Sequence, residues 1–252
     1  MKILYTLWFS WLMISSTFEL AFYSDSKIRE EDSPVVREST TDIQVRVGEK
    51  LYVFGKAQGT LDNVKIGMHL LNFAQNPVIS GVKAEFHQVS WKKLKNGAIQ
   101  IQSSYHPWPN TLTWLVMPDG KLKMEASASD PSKVDLANLG LGFDFPDDEL
   151  REMELNNQHF TLSAPLTQKQ HFKEVSLEFV YSKLKIHSEL SDLALNTHFS
   201  LKEAQGPDLV ISFPEEQAQP EPLSSPGFSF SIPEKRDSNN TINKMILWFD
   251  FQ

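Results

Sequence analysis

The chain contains no cysteine. That absence excludes disulfides, thiolate zinc sites, cysteine nucleophiles and lipid attachment at an N-terminal cysteine. Basic residues are in the minority: 24 Lys and Arg stand against 32 Asp and Glu, for a formal net charge of -8. A phosphate-binding surface needs clustered cations, so nucleic acid is not an expected partner. The longest basic cluster, Trp91-Lys92-Lys93-Leu94-Lys95, runs into a turn and reads as a solvated hairpin end. After Tyr23 no apolar run is long enough to span a bilayer.

Catalytic signatures are also lacking. No G-x-S-x-G, H-E-x-x-H, Walker or G-x-G-x-x-G pattern occurs. The seven histidines are scattered, without the i, i+4 pairing or short spacing of a metal site. The acidic groups Asp147-Asp148-Glu149 and Glu215-Glu216 each follow a Phe-Pro dipeptide, where turns and caps favour acids. Neighbouring strand residues point to opposite faces, so such runs do not oppose two carboxylates across a sugar linkage. No catalytic residue, metal or cofactor is assigned.

What is present is a globular composition. Of 252 residues, 40% are hydrophobic and 22% charged. This matches a folded domain rather than a disordered chain. Residues 1–23 read as a secretory signal: Met1-Lys2 opens it, an apolar run extends from Ile3 to Ile14, and Ser15-Ser16-Thr17 follows. An uncleaved anchor from Ile3 to Tyr23 is the competing reading, opposed by Glu19 within it. The expected product is exported, periplasmic or extracellular, without stable membrane insertion after cleavage. Residues 24–41 are polar and mixed in charge and read as a flexible leader.

From Asp42 the pattern becomes short runs of period two. Ile43, Val45 and Val47 alternate with Gln44 and Arg46, as a half-buried strand requires. Asn96-Gly97 lies between Val89–Leu94 and Ala98–Ser103, a hairpin signal whose residues tolerate positive φ. Pro118-Asp119-Gly120 separates Thr111–Met117 from Lys121–Ala128 as a second hairpin turn. Further strands are expected at Leu139–Phe145, Ser176–Tyr181, Leu184–Ser188, Thr197–Leu201, Leu209–Phe213, Phe228–Ile232 and Met245–Phe251. The last is apolar on both faces, which marks an interior strand. Asp147–Leu155 fits a helical turn or two, and equally an irregular strand. Pro214–Gly227, rich in Pro, Glu and Gln, reads as an exposed loop. The sum is one all-β domain over residues 42–252, a large two-sheet antiparallel supersandwich.

Tyr105, His106 and Trp108 are the candidate carbohydrate-binding residues. They lie in Tyr105-His106-Pro107-Trp108-Pro109, whose prolines would stiffen the loop and hold the indole out for sugar stacking. The competing reading has these aromatics plugging the end of a sandwich. For Trp114, which alternates with Leu112 and Val116, burial is the expectation.

Several stretches align in order with one known domain. They are Leu51-Tyr52-Val53-Phe54, Gln58 through Lys65, Asn76-Pro77-Val78, Trp91 before Asn96-Gly97, Leu112-Thr113-Trp114, Met117 through Glu125, and Leu139 through Pro146. Across Asp42 to Leu155 this resembles the C-terminal β-sandwich of family 2 glycoside hydrolases, the β-galactosidase type. The resemblance implies a galactose mutarotase-like supersandwich. It also implies an accessory role, since the two catalytic glutamates of such hydrolases sit on a separate upstream barrel. The family domain carries a Trp-x-Gly-x-Gly-Pro segment after its Phe-Pro motif, where this chain has Leu155 through Phe160. Three functions stay open. One is an exported non-catalytic module binding a glycan or a partner glycoside hydrolase. Another is an aldose epimerase (mutarotase), with His106, His159 or His171 as its acid. The third is an inactive remnant or split subunit of a β-galactosidase.

Overall fold

The computed structural model describes residues 33–128, 135–137, 139–160, 167–189, 195–200, 206–214 and 244–252, with 167–170 described in backbone only. The signal-like residues 1–23, most of Pro214–Gly227 and the expected strand Phe228–Ile232 lie outside them. Among the described residues there are nineteen strands and no helix. All pairings are antiparallel.

Sheet I has the order β1(Val35–Glu38), β2(Asp42–Val47), β3(Lys50–Gly55), β4(Leu61–Ile66), β5(His69–Leu71). A second five-stranded sheet, sheet III, uses β6(Ala74–Ser80) and β11(Gly140–Asp144) together with β14(Thr167–Phe172), β17(Leu195–Ser200) and β18(Leu209–Ser212). Its order is β14-β17-β18-β11-β6. Sheet II has nine strands. One half holds β7(Glu85–Lys93), β8(Ile99–His106), β9(Thr111–Val116) and β10(Leu122–Ser127). The other holds β12(Leu150–Leu155), β13(Gln158–Phe160), β15(Glu174–Phe179) and β16(Lys183–Ser188). Between the halves runs β19(Lys244–Phe251), giving the order β13-β12-β15-β16-β19-β10-β9-β8-β7.

Both five-stranded sheets lie on one face of sheet II. Tyr52 and Phe54 of sheet I meet Phe251 and Trp114 of sheet II, at ring separations of 6.0 and 6.2 Å. Phe143 of sheet III meets Phe249 of sheet II at 5.3 Å. Phe73, between β5 and β6, touches Phe143, Phe249 and Phe251, so one ring closes the junction of all three sheets. The molecule is therefore a sandwich, as expected, but one of its layers is divided. Ten strands would accumulate a large twist in a single sheet, and splitting it keeps both halves flush with sheet II.

Alternation explains most of this. Ile43, Val45 and Val47 are buried while Gln44 and Arg46 face out. Leu122, Met124 and Ala126 do the same on β10. Both expected hairpins form, with a different turn than two successive positive-φ residues would give. Gly97 and Gly120 alone carry positive φ, at 85° and 76°. Their amides close back onto Leu94 and Met117 respectively. Each is thus a turn ending in one left-handed glycine.

One expectation is corrected, and one open alternative is decided for the irregular strand. The leader is not flexible to residue 41: Val35–Glu38 forms β1, in register with Glu38 opposite Ile43 and Val36 opposite Val45. Val36 packs against the core, which gives the strand its purchase. The helical option for Asp147–Leu155 is not taken. Leu150, Met153 and Leu155 are buried along β12, spaced by a bulge that resets their alternation. A hairpin unseen in the sequence follows. Asn156 and Asn157 both adopt positive φ, 51° and 66°, in a two-residue loop between Leu155 and its partner Gln158.

Candidate functional site

The candidate trio lies at the end of β8, which carries Tyr105 and His106, and in the loop to β9, which carries Trp108. Tyr105 is the last inward residue of β8, and its hydroxyl donates to the Gln58 carbonyl at 2.7 Å. Its ring packs on Phe86, and burial pushes the phenol well above its usual range. Trp108 is fully buried, edge-on to Phe213 at 6.0 Å. The loop turns the indole inward, so it plugs the sandwich end and offers no face to a sugar. Only His106 of the three is exposed. The expected stacking site is therefore not assembled here. An apolar ring of this size gains more from burial against Phe213 than from standing in water.

Trp248 on the outer face of sheet II is the next aromatic to consider. Cross-strand register places it between Lys123 and His187. Its Nε1 donates to Glu189 at 2.9 Å, and the Lys123 ammonium lies 5.3 Å from its ring centroid. Lys123 also pairs with Glu125 and Glu189, and Lys244 with Glu125. Burial opposes ionisation of Glu125, but hydrogen bonds from Lys244 and Lys123 outweigh it and hold the carboxyl below its ordinary value. This network satisfies itself and leaves the indole N–H and one ring face occupied.

A carboxylate group gathers beside sheet III. Asp144 accepts from the Asn76 amide at 2.9 Å, and Asp208 from the Phe145 backbone N–H at 2.8 Å. Burial pushes Asp208 up to about 6, against the Phe145 hydrogen bond and helped by the charges of Asp147 and Asp144. Burial also raises Asp144. Among the described residues no three acidic or histidine side chains converge as a metal site. His69 and Glu149 form a histidine–carboxylate pair, at 3.1 Å, with Tyr181 packed on the imidazole at 4.9 Å. The two are joined directly, so no substrate atom fits between them. His159 and His171 stand on β13 and β14, at the edges of different sheets.

A hollow of about 300 Å³ lies on the open face of sheet I. That volume is at the lower end for small-ligand sites. Its floor follows from register. One cross-strand row runs Val35, Arg46, Leu51, Lys65, Leu70. The next row runs Arg37, Gln44, Val53, Asn63. Inward residues of the same strands fill the core, so these two rows face solvent by the period-two rule. Arg37, Arg46 and Lys65 line the hollow with Gln44 and Leu51, and Glu49 is the single acid among the lining residues. Among the described residues no carboxylate lies within ion-pair distance of these three cations, which is also true of outward lysines such as Lys92, Lys93 and Lys121; what sets the three apart is that they share one hollow.

Sequence alternation marked Gln44 and Arg46 as outward. It did not reveal the hollow, because Arg37 lay in the expected leader and Lys65 joins only through the register of β3 with β4. No protein-family profile matches the chain, and no curated protein matches it.

Proposed function

We propose that this chain is an exported, non-catalytic carbohydrate-binding module, akin to the terminal β-sandwich of a β-galactosidase, that holds its glycan on the open face of sheet I. The observation that carries the reading is the 300 Å³ hollow on that face, lined by hydrogen-bonding and cationic side chains over an aliphatic floor. Sugars are bound by planar polar groups set around such a floor, with orientation fixed by a few side-chain donors. The order of motifs from Asp42 to Leu155 supports the carbohydrate association. The test is a glycan array probed with the mature chain, alongside a galactoside turnover assay. Binding without turnover is the expected outcome. Unaided cleavage of a galactoside, or an array without a single bound glycan, would remove the reading.

The aldose epimerase remains a second reading because of Asp208. A carboxyl titrating near neutrality beside two further carboxylates has the poise of an acid–base group. Mutarotation of galactose and glucose decides it: turnover lost in Asp208→Asn would establish the enzyme, and absence of turnover would exclude it.

A further inference from the structure

Resting on the reading of sheet I as a glycan-binding face, we infer that its ligand is an acidic glycan carrying one carboxylate per sugar, a uronate chain, read by Arg37, Arg46 and Lys65. The first ground is charge. The chain as a whole is acidic, at -8. Yet this hollow sets three cations against one acid, and the cations have no carboxylate partner among the described residues. Like charges held together on a folded surface repel, so an unneutralised group of them calls for an external anion.

The second ground is geometry. Arg46 and Lys65 sit on strands separated by one strand, roughly 10 Å apart at about 4.8 Å per strand spacing. Arg37 is offset from Arg46 by one strand and one two-residue step, about 8 Å on the same spacings. The cations thus form a triangle rather than a point, suited to acid groups that recur along a chain. Gln44 stands opposite Arg37 and two residues from Arg46 on the same strand, where its amide can reach hydroxyls. Leu51 lies between Arg46 and Lys65 and offers an apolar floor to the C–H face of a ring.

The third ground is the choice of side chains. No aromatic ring lines the hollow, so the stacking platform that favours neutral sugars is missing there. Two of the three cations are guanidiniums, whose planar fork matches a planar carboxylate in a bidentate pair. Three cations against one acid suit one charge per sugar better than a multiply sulfated chain. Single-stranded nucleic acid would want stacking aromatics beside the phosphates, and these too are missing from the lining.

The experiment measures binding of the full mature chain by calorimetry at low salt. The probes are α-1,4-linked galacturonate oligomers, the neutral galactose oligomers of the same linkage, dextran sulfate, and oligoglutamate. The expected result is binding of the galacturonate oligomers that weakens as salt is raised, because partly exposed charges are screened. Arg46→Gln and Arg37→Gln should each weaken it about tenfold or more, at retained near-UV circular dichroism. Lys92→Gln, on the outer face of sheet II, should leave it unchanged. Equal binding of the neutral oligomers, insensitive to both arginine changes, would overturn the inference while the glycan reading stands. Tighter binding of dextran sulfate or oligoglutamate would overturn the uronate assignment. Binding of no glycan at all would take the underlying reading down as well.

Discussion

Asp208 holds a proton at a pH where an ordinary carboxyl has lost it. The cause is burial, reinforced by Asp147 and Asp144 and only partly offset by the Phe145 N–H. A carboxyl whose folded pKa is raised favours folding in full below its unfolded pKa. That contribution fades as pH climbs through the folded value. Here the window runs from the ordinary carboxyl value of 3.8 to about 6. Asp208→Asn keeps an acceptor for Phe145 and removes the titration. The variant should match or trail wild type at pH 4 and exceed it at pH 7, by about 1 kcal/mol after allowance for solvent screening of a half-exposed group. Urea unfolding of both proteins across that range measures it, and a difference that stayed flat with pH would remove Asp208 from the account. Trp108 makes the opposite case at the same scale. Its sequence setting is equally suited to a presented ring and to a plug. The choice is made by Phe213, more than a hundred positions away, which no local pattern reveals. Trp108→Ala should cost about 3–5 kcal/mol of stability, the range for emptying a buried aromatic site, read from its denaturation midpoint. A near-neutral result would mean the indole is not packed as described.

Strands and hairpins were far more legible than side-chain partners, and the reason is range. Asn96-Gly97 and Pro118-Asp119-Gly120 act through torsions two or three residues long, so their hairpins could be read directly. The positive φ falls on the glycine in both cases. Asn156-Asn157 carries no such local flag, because Asn-Asn lacks the glycine that marks a tight turn, although asparagine tolerates the left-handed region well. This turn is held by more than its torsions. Asn156 Oδ1 accepts from the backbone N–H groups of Lys173 and Glu174, at 2.9 and 3.1 Å, and its Nδ2 donates to the His171 carbonyl. One side chain thereby ties the β12–β13 hairpin to the start of β15. Asn156→Ala should lower stability by about 1–2 kcal/mol, through lost hydrogen bonds and a left-handed alanine. Asn157→Gly, where only the torsion matters, should be neutral or slightly stabilising. Thermal unfolding of the pair separates the two roles, and equal losses in both would refute the tie. The hollow on sheet I was hidden at this same scale: its cations come from β1, β2 and β4, and only the register brings them to one row and its neighbour.

The whole molecule depends on a strand that joins its sheet across great sequence distance. β19 lies between β16 and β10, with Leu247 opposite Met124 and Phe249 opposite Ile186. Its inward face carries Met245, Leu247, Phe249 and Phe251, all fully buried. Phe249 alone meets Phe73, Trp114 and Phe143, rings that belong to the sheet junction, sheet II and sheet III. Without β19, sheet II separates into two halves, each with a newly open edge of unpaired N–H and C=O groups. The core that both five-stranded sheets rest on loses its centre at the same moment. Such edges template association with other chains, so failure should take the form of aggregation rather than a smaller stable domain. A chain ending at residue 243 should therefore give no cooperative thermal transition and should elute as aggregate. Phe249→Ala, which keeps both strand pairings, should remain monomeric with stability reduced by about 3–5 kcal/mol. Size-exclusion chromatography with circular dichroism distinguishes these outcomes. A truncated chain that stayed monomeric and melted cooperatively would mean that the two halves of sheet II can stand apart, and that β19 joins a fold already complete without it.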